Sequence, residues 1–466
     1  MKSSIVACIL LGATLAGCAS PPPANPPPTT PPGPAPSNFA FNLTTVDPGA
    51  VGVSEPSIIV DPSGAVWISG PTGFVTPAVK RDPQPYTHDT SMFKSTDAGQ
   101  TWTNMMDIPN YGRDICPGGG DSDIAASPDG AVYLIDLYLG NVPIDVTTDG
   151  GATWTFNCYT SIAPGVDRQW VAATNEYVWI VVNQLSTGAE IYRADKLGLP
   201  TDGLLFGPPA SIQGNGPVVV DQTDGTLYVA ASGSTVLVST DNGASFTPHE
   251  TGLGDHDLST SFISIALDAA GDVFVAGAGT EGVVVSASSD KGNTWTPGVA
   301  FAPYGTDADR HAEYAFAWVA AGGNGTMDIA WYGQPPHDGD NTTYYLYALQ
   351  KEDFLTSPAN GTYAFAQVTP EPIATKPLCI GISLVPPTPC DADGTHTRAL
   401  GDFFESAVDA EGHFLIAYDD ANGHDTPYLM FATQTLGPLA PAGAPNLGGA
   451  ASSSGSGGPL DAAGLR

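Results

Sequence analysis

Four copies of one eight-residue motif, here called the octet, constrain the fold more than any other feature of the chain. They read STDAGQTW from Ser95, TTDGGATW from Thr147, STDNGASF from Ser239 and SSDKGNTW from Ser288. Their third-position Asp residues are 52, 92 and 49 positions apart, and the long interval is twice 46. This interval predicts a degraded copy, which we assign to Asp195 in the segment YRADKLGLP. A repeat of about 46 to 50 residues is typical of propellers and solenoids.

A second repeated element is an apolar run, a turn rich in Asp and Gly, and another apolar run, which together predict a β-hairpin. The seven copies begin at Ser57, Asp123, Gln169, Pro217, Ser264, Ala317 and Ser406. One hairpin and one octet supply four strands, a to d, with the octet as the turn between c and d. The chain is therefore predicted to be an all-β, seven-bladed β-propeller of four-stranded antiparallel blades. The segment Asn38 to Val46 has strand composition and is expected to complete the last blade.

The octet pattern Ser-x-Asp-x-Gly-x-Thr-Trp resembles the Asp box of bacterial sialidases (neuraminidases) and related propellers, also called the BNR repeat. The resemblance covers most of residues 50 to 436 and keeps a six-bladed ring open as the alternative, since that family is often six-bladed. Within each octet the Asp carboxylate is expected to accept backbone N–H groups of the turn, and the Trp to pack into the sheet interior. The structural, non-catalytic Asp residues are Asp97, Asp149, Asp241 and Asp290.

The N-terminus predicts export and lipid anchoring. One Lys precedes a short apolar run, and the sequence Leu-Ala-Gly-Cys ending at Cys18 resembles the lipobox of bacterial lipoproteins. We divide the chain into a signal peptide (1–17), a lipidated Cys18 with a Pro-rich linker (18–37), the propeller (38–436) and a disordered Gly/Ala/Ser tail (437–466). The expected location is the outer membrane or cell surface, because Ala19 follows Cys18.

The net charge limits the kinds of partner that the protein can bind, and the cysteine content indicates disulfide bonds. The chain has 14 Lys plus Arg against 48 Asp plus Glu, a formal net charge of −34. This acidity excludes nucleic acid as a partner, and it leaves the lipid on Cys18 as the only membrane contact. Of three possible pairings of the remaining cysteines, proximity favours two disulfides, Cys116 with Cys158 and Cys379 with Cys390. We expect a monomer.

Arg and His residues concentrate on one predicted face. The a-to-b and c-to-d turns share one face of a propeller, while the b-to-c and d-to-a connections form the other. On this second face, four arginines each lie just before the first strand (strand a) of a blade. Two of the histidines on the same face are also ligand-binding candidates. The ligand-binding candidates are Arg113, Arg168, Arg310, Arg398, His311 and His337. Other acidic residues of the same connections are Glu55 and Asp121, and Tyr332 and Tyr344 offer stacking surface.

The resemblance to sialidases implies three arginines that clamp a substrate carboxylate, a Tyr–Glu nucleophile and an Asp acid/base. The catalytic candidates are Arg168, Arg310, Arg398, Asp167, Glu313 and Asp402. The family's Phe/Tyr-Arg-Ile-Pro motif is absent, since the corresponding region reads VSEPSIIVD with Glu55 and no Arg. The preferred hypothesis is a surface propeller that binds a glycan or another extracellular ligand. The alternatives are an exo-acting glycoside hydrolase of sialidase type and a structural envelope component.

No complete metal-binding motif is present, so neither a metal nor a cofactor is predicted. Calcium stays possible at CDADGTHT and HDGDN, where carboxylate and amide oxygens are closely spaced.

Overall fold

The computed structural model describes residues 38–46, 52–71, 90–105, 118–137, 140–158, 160, 164–196, 204–214, 216–231, 233–258, 263–305, 312–323, 325–336, 342–379, 396–422, 427–440 and 450–451. These residues form β-strands and connections and contain no α-helix. The signal peptide, Cys18 and the Pro-rich linker lie outside them. Among the described residues no helix has the length and apolar character needed to span a membrane.

The strands form seven sheets, which are the blades of the propeller. Each blade has four antiparallel strands. The chain enters with β1 (Ala40–Thr45), which belongs to the seventh blade. Blade 1 contains β2 (Ser57–Val60), β3 (Val66–Pro71), β4 (Thr90–Ser95) and β5 (Thr103–Asn104). Blade 2 contains β6 (Ser122–Ala126), β7 (Val132–Asp136), β8 (Ile144–Thr147) and β9 (Thr155–Asn157). Blade 3 contains β10 (Val166–Ala173), β11 (Tyr177–Gln184), β12 (Gly188–Asp195) and β13 (Ala210–Ser211).

The second half repeats the arrangement. Blade 4 contains β14 (Val218–Asp221), β15 (Leu227–Ala230), β16 (Thr235–Ser239) and β17 (Thr247–Glu250). Blade 5 contains β18 (Ser264–Leu267), β19 (Val273–Gly279), β20 (Gly282–Ser288) and β21 (Val299–Phe301). Blade 6 contains β22 (Glu313–Ala321), β23 (Met327–Gln334), β24 (Tyr345–Lys351) and β25 (Ala364–Gln367). Blade 7 contains β26 (Glu405–Val408), β27 (Phe414–Asp420) and β28 (Tyr428–Leu436), with β1 outermost. The prediction of seven blades is confirmed.

The ring closes by joining the two ends of the chain. β1 pairs antiparallel with β28, from Ala40 opposite Leu436 to Thr45 opposite Met430. The first strands of the seven blades pack side by side, and β26 returns to β2, so they surround a common axis. The inner strands β2, β6 and β14 are mostly apolar and buried on both faces, whereas the outer β17 is mostly exposed. Burial on both faces explains why the inner strands read as continuous apolar runs.

Each octet joins its own blade to the preceding one. In the first octet, Gly99 has φ +81°, and a Cβ at this position would lie 2.1 Å from Phe431 of blade 7. The Trp102 ring packs edge-on against the same Phe431, with 5.2 Å between centroids, and Trp154 packs against Trp67 of blade 1. The Trp rings were expected in the interior of their own sheets; they lie between blades, because there two sheet faces can cover one large ring.

A short stretch of the C-terminal segment is also described. Ala440 is buried, and its N–H donates to the carbonyl of Gly412 at 3.0 Å. β29 (Ala450–Ala451) pairs in parallel with the inner strand β14. The remainder of the predicted disordered tail, 441–449 and 452–466, lies outside the described residues.

Candidate functional site

Six charged side chains from four blades meet at one end of the propeller axis. All come from the residues just before or at the beginning of an inner strand, which is the face opposite the octets. We call this set the axial cluster, and its members are Glu55, Asp121, Asp167, Arg168, Arg398 and Asp402. Because blades 3 and 7 are not neighbours, contacts between Arg168 and Asp402 cross the axis.

Asp402 is the centre of the axial cluster. Arg398 Nη2 donates to Asp402 Oδ2 at 2.6 Å, and Arg398 Nη1 donates to Asp402 Oδ1, which makes the contact bidentate. Arg168 Nη2 donates to the same Asp402 Oδ2 at 3.1 Å from the opposite side. Its Nε lies 3.8 Å from Asp121 Oδ2. The two described arginines of the predicted carboxylate clamp therefore bind a carboxylate of the protein itself.

Glu55 fixes the Asp402 loop to blade 1. Its Oε1 accepts the backbone N–H of Asp402 at 2.8 Å and lies 3.6 Å from Arg398 Nη2. Its own N–H donates to Asp419 Oδ2 at 3.2 Å. Glu55 has φ +51°, and a Cβ at Gly401 would lie 2.2 Å from Glu55 Cγ. A strained backbone conformation persists only when the surrounding contacts hold it in place. The contacts of Glu55 with Gly401, Asp402 and Asp419 do so here.

A β-bulge orients Arg168. The register of β10 against β11 shifts between Asp167 and Gln169, and Arg168 between them has φ +56°. The equivalent strand of blade 6 has a matching shift, with Phe316 at φ +55°. A bulge redirects the side chain of its extra residue, which here directs the Arg168 guanidinium to the axis.

Three aromatic rings close the axis. Trp170, two residues after the first bulge, and Trp318, two residues after the second, have ring centroids 5.9 Å apart. Phe403 lies 5.2 Å from Trp170 and 6.0 Å from Trp318. The guanidinium carbon of Arg168 lies 5.1 Å from the Phe403 ring centroid. Since all three rings are buried, they form a support for the charged groups rather than a surface for a ligand.

The carboxyl groups of the axial cluster lie close enough to influence one another's protonation. Burial raises the pKa of Glu55 well above its usual value, and the Asp121 carboxylate raises it further. Partial desolvation, followed by Asp121, likewise raises the pKa of Asp167. Burial alone lowers the pKa of Arg168, but Asp121, Glu55 and the other carboxylates raise it overall. Among the described residues, four carboxyl groups thus surround two guanidinium groups.

Solvent reaches only part of the axial cluster. Glu55, Asp121 and Asp402 are buried, while Asp167 is exposed. The side chains of Arg168 and Arg398 are 14% and 22% exposed. A ligand arriving along the axis would therefore meet the Asp167 carboxylate and one edge of Arg398.

A tyrosine and a glutamate pair in blade 6 on the same face. Tyr344 Oη donates to Glu313 Oε2 at 2.5 Å. Tyr344 is 1% exposed, and burial raises the pKa of its hydroxyl. Tyr332 is also buried, and its oxygen accepts the N–H of Asp419. The prediction that both tyrosines offer stacking surface is wrong, because sheet packing covers the rings.

Several predicted residues lie outside the described part of the chain. They are Arg113, Arg310, His311, His337, Cys116, Cys390 and most of the two possible calcium segments. Because Cys116 and Cys390 lie outside the described residues, both disulfide pairings stay predictions. The structure does bring together Asp167 and Arg168 of blade 3 with Arg398 and Asp402 of blade 7.

One group of possible cation ligands occurs among the described residues, away from the axial cluster. Asp409, Glu411 and His413 lie in the a-to-b turn of blade 7, on the octet face. Asp409 Oδ1 accepts the backbone N–H groups of Glu411 and His413, at 3.0 and 2.8 Å. These bonds are those of an ordinary Asp turn.

The aromatic support and the Tyr344–Glu313 pair were missed by sequence reasoning. The segments QWVAA and AWVAA, at Gln169 and Ala317, share a Trp at the same place in two inner strands. That repeat was the available indication of Trp170 and Trp318. Nothing in the sequence connects Glu313 with Tyr344, because 31 residues separate them.

No protein-family model and no curated protein matches the sequence. Among solved structures, YCF48 bound to D1 peptide is 12% identical, with a TM-score of 0.49 over 88% of this chain and 100% of that one. The NanB sialidase of Streptococcus pneumoniae is 11% identical, with a TM-score of 0.39 over 84% of this chain and 70% of that one. The α-L-arabinanase of Penicillium chrysogenum is 10% identical, with a TM-score of 0.42 over 85% and 97%. Similarity at this level says nothing about what this chain binds.

Proposed function

We propose that this protein is a lipid-anchored surface protein whose propeller binds a glycan or another extracellular ligand at the axial cluster. Cys18 carries the lipid, and residues 18–37 hold the propeller away from the membrane. The predicted disulfides belong to the same proposal: Arg398 Nη1 donates to the carbonyl of Cys379 at 3.3 Å, so a Cys379–Cys390 bond would stiffen the loop that delivers Arg398.

The observation that carries this proposal is the convergence of charged side chains from blades 1, 2, 3 and 7 at one end of the axis. Glu55 and Arg168 are non-glycine residues with positive φ, a conformation that the octets use for structural reasons at Ala98, Asn242 and Lys291. In the axial cluster this conformation belongs to two residues whose charged side chains meet at one point, which supports a binding role. Charged groups held on strand ends by a rigid scaffold are also the usual construction of a binding site.

The test is a glycan-binding screen of the detergent-solubilised full-length protein. The double variant Asp167→Ala/Arg398→Ala removes the two most exposed groups of the axial cluster, without changing net charge. We expect it to lose binding by roughly tenfold or more, about 1.4 kcal/mol. The matched control is Arg193→Ala/Asp195→Ala, an exposed pair on the outer part of blade 3. Equal loss in the control would place the ligand elsewhere.

A second candidate is an exo-acting glycoside hydrolase of sialidase type, and the Tyr344–Glu313 hydrogen bond favours it. A nucleophile beside a general base is a recognisable catalytic arrangement. Against it, Tyr344 is buried and its pKa is raised. The test is a panel of aryl glycosides that includes a sialoside. Turnover that disappears in Tyr344→Phe, and in Arg168→Ala, Arg310→Ala or Arg398→Ala, would establish the hydrolase; turnover by none would remove it.

A further inference from the structure

We infer that the ligand of the axial cluster carries no carboxylate at the point of contact, and that affinity increases from carboxylated to neutral to amine-bearing glycans. The inference rests on the proposed function and specifies its ligand class. It departs from the expectation that arginines on this face clamp a substrate carboxylate.

The first step is that internal groups already occupy both described guanidiniums. Arg398 binds Asp402 with both terminal nitrogens and also lies near Glu55. Arg168 binds Asp402 with Nη2, approaches Asp121 with Nε and covers the Phe403 ring. A ligand carboxylate would have to displace Asp402, which is buried and would then lose its ionic partners. Leaving a buried charge without a partner is strongly unfavourable.

The second step is the charge that remains. The four carboxyl groups of the axial cluster outnumber its two described guanidiniums. Burial raises the pKa of Glu55, and a proton on this one group still leaves three carboxylates against two guanidiniums. Glu55 Oε2 is buried and has no hydrogen-bond partner among the described residues. The net charge of −34 adds a long-range field of the same sign. The charges of the axial cluster, counted over the part of the chain that the structure describes, and the net charge of the whole chain therefore both disfavour an anion.

The third step identifies the group that a ligand would meet. Asp167 is the exposed carboxylate of the axial cluster, at the beginning of β10. An ammonium group offers three donors and a compact positive charge, and it pairs with a carboxylate without disturbing Arg168 or Arg398. A neutral sugar can donate hydroxyl hydrogen bonds to the same oxygens, with less electrostatic gain.

The experiment measures binding of three oligosaccharide series to the detergent-solubilised full-length protein at pH 6. The series are glucosamine oligomers, N-acetylglucosamine oligomers of the same length, and uronate oligomers. We expect the glucosamine oligomers to bind at least about tenfold more tightly than the uronates. Tightest binding of the uronates would overturn this inference and leave the proposed function standing. Binding of none of the three would overturn this inference and remove the glycan as the proposed ligand of the axial cluster.

Two variants separate the local contact from the general field of an acidic protein. Asp167→Asn should reduce the preference for the amine severalfold, whereas Asp195→Asn makes the same charge change on the octet face and should leave it unaltered. Equal effects of the two would overturn the inference. Asp402→Asn should improve uronate binding, because Arg168 and Arg398 lose their common anion. If Asp402→Asn does not fold, the comparison of Asp167→Asn with Asp195→Asn still tests the inference.

Discussion

Within the first octet, the polar side chains of Ser95, Asp97 and Thr101 bond one another. Asp97 Oδ1 accepts the Ser95 hydroxyl and the Thr101 N–H, both at 2.8 Å, and its Oδ2 accepts the Thr101 hydroxyl at 2.6 Å. The Thr101 side-chain bond, followed by the others, lowers the pKa of Asp97 to about 2. A carboxylate held in this way is kept ionised and occupied, which suits a turn and not an acid/base catalyst.

Gly99→Ala is expected to destabilise the propeller for two reasons. Its φ of +81° disfavours any residue with a Cβ, at a cost of at least about 1 kcal/mol. The new methyl group would also collide with Phe431, the ring that joins blade 7 to blade 1. The free energy of unfolding, measured in urea, should fall by more than the backbone effect alone.

Gly64→Ala is the matched control for that measurement. Gly64 has φ +83°, and a Cβ there would meet nothing within 4 Å. The two variants therefore share the backbone effect and differ in the collision. Equal losses in the two variants would show that the octet glycine is required for its φ only.

The role of Asp97 could be predicted because its partners lie within the same octet. The contact of Gly99 with Phe431 could not, because it joins distant parts of the chain. The Arg168–Asp402 contact could not, because 234 residues separate its members and the ring must close before they meet. The sequence predicted that both residues begin blades. It did not reveal the bulge that orients Arg168 or the internal carboxylate that occupies both arginines.

At the scale of elements, the inner strands of blades 7, 1 and 2 share a buried hydrogen-bond network. Ser57 Oγ lies 2.9 Å from Asp123 Oδ1 and 2.8 Å from Glu405 Oε2. A hydroxyl has one hydrogen, so satisfying both contacts requires a proton on one carboxyl. Burial raises the pKa of Asp123 to about 7 and that of Glu405 well above its usual value, where Asp123 adds to the effect. The three blades are thus joined through a protonated carboxyl group.

This network predicts that stability falls as the pH rises. Both groups bind protons more strongly when folded, so their contribution is complete below about pH 4 and is lost as the pH rises through about 7. Glu405→Gln imitates the protonated form and should flatten the dependence. The measurement is the free energy of unfolding in urea at pH 4, 5, 6 and 7.

The control for that measurement is Glu250→Gln, which neutralises an exposed carboxylate on the outer strand β17. It should reproduce the slope of the unaltered protein, since it changes net charge equally. A Glu405→Gln profile parallel to that of Glu250→Gln would show that the network does not carry the extra proton.

At the scale of the whole molecule, the blade number and the order of strands followed from the repeats, since hairpins and octets are short-range patterns. The sequence also indicated closure by β1, because Asn38 to Val46 has strand character without a local partner. The aromatic support of the axis did not follow, because Trp170, Trp318 and Phe403 belong to three blades that are brought together only by the curvature of the ring.

The proposed anchoring assigns all membrane attachment to the lipid on Cys18. A chain with a formal net charge of −34 is repelled by anionic lipid. A spacer from Ser20 to Ser37 can hold the propeller about 56 Å from the surface if extended. Cys18→Ser should therefore transfer the protein completely from the membrane to the soluble fraction of fractionated cells, while a 1 M salt wash should not release the unaltered protein.

Cys8→Ser, within the segment expected to be removed, is the matched control and should stay with the membrane. Retention of Cys18→Ser after the wash would mean that a surface of the folded chain binds the envelope, and the axial cluster would then have to be tested against an envelope component rather than a free glycan.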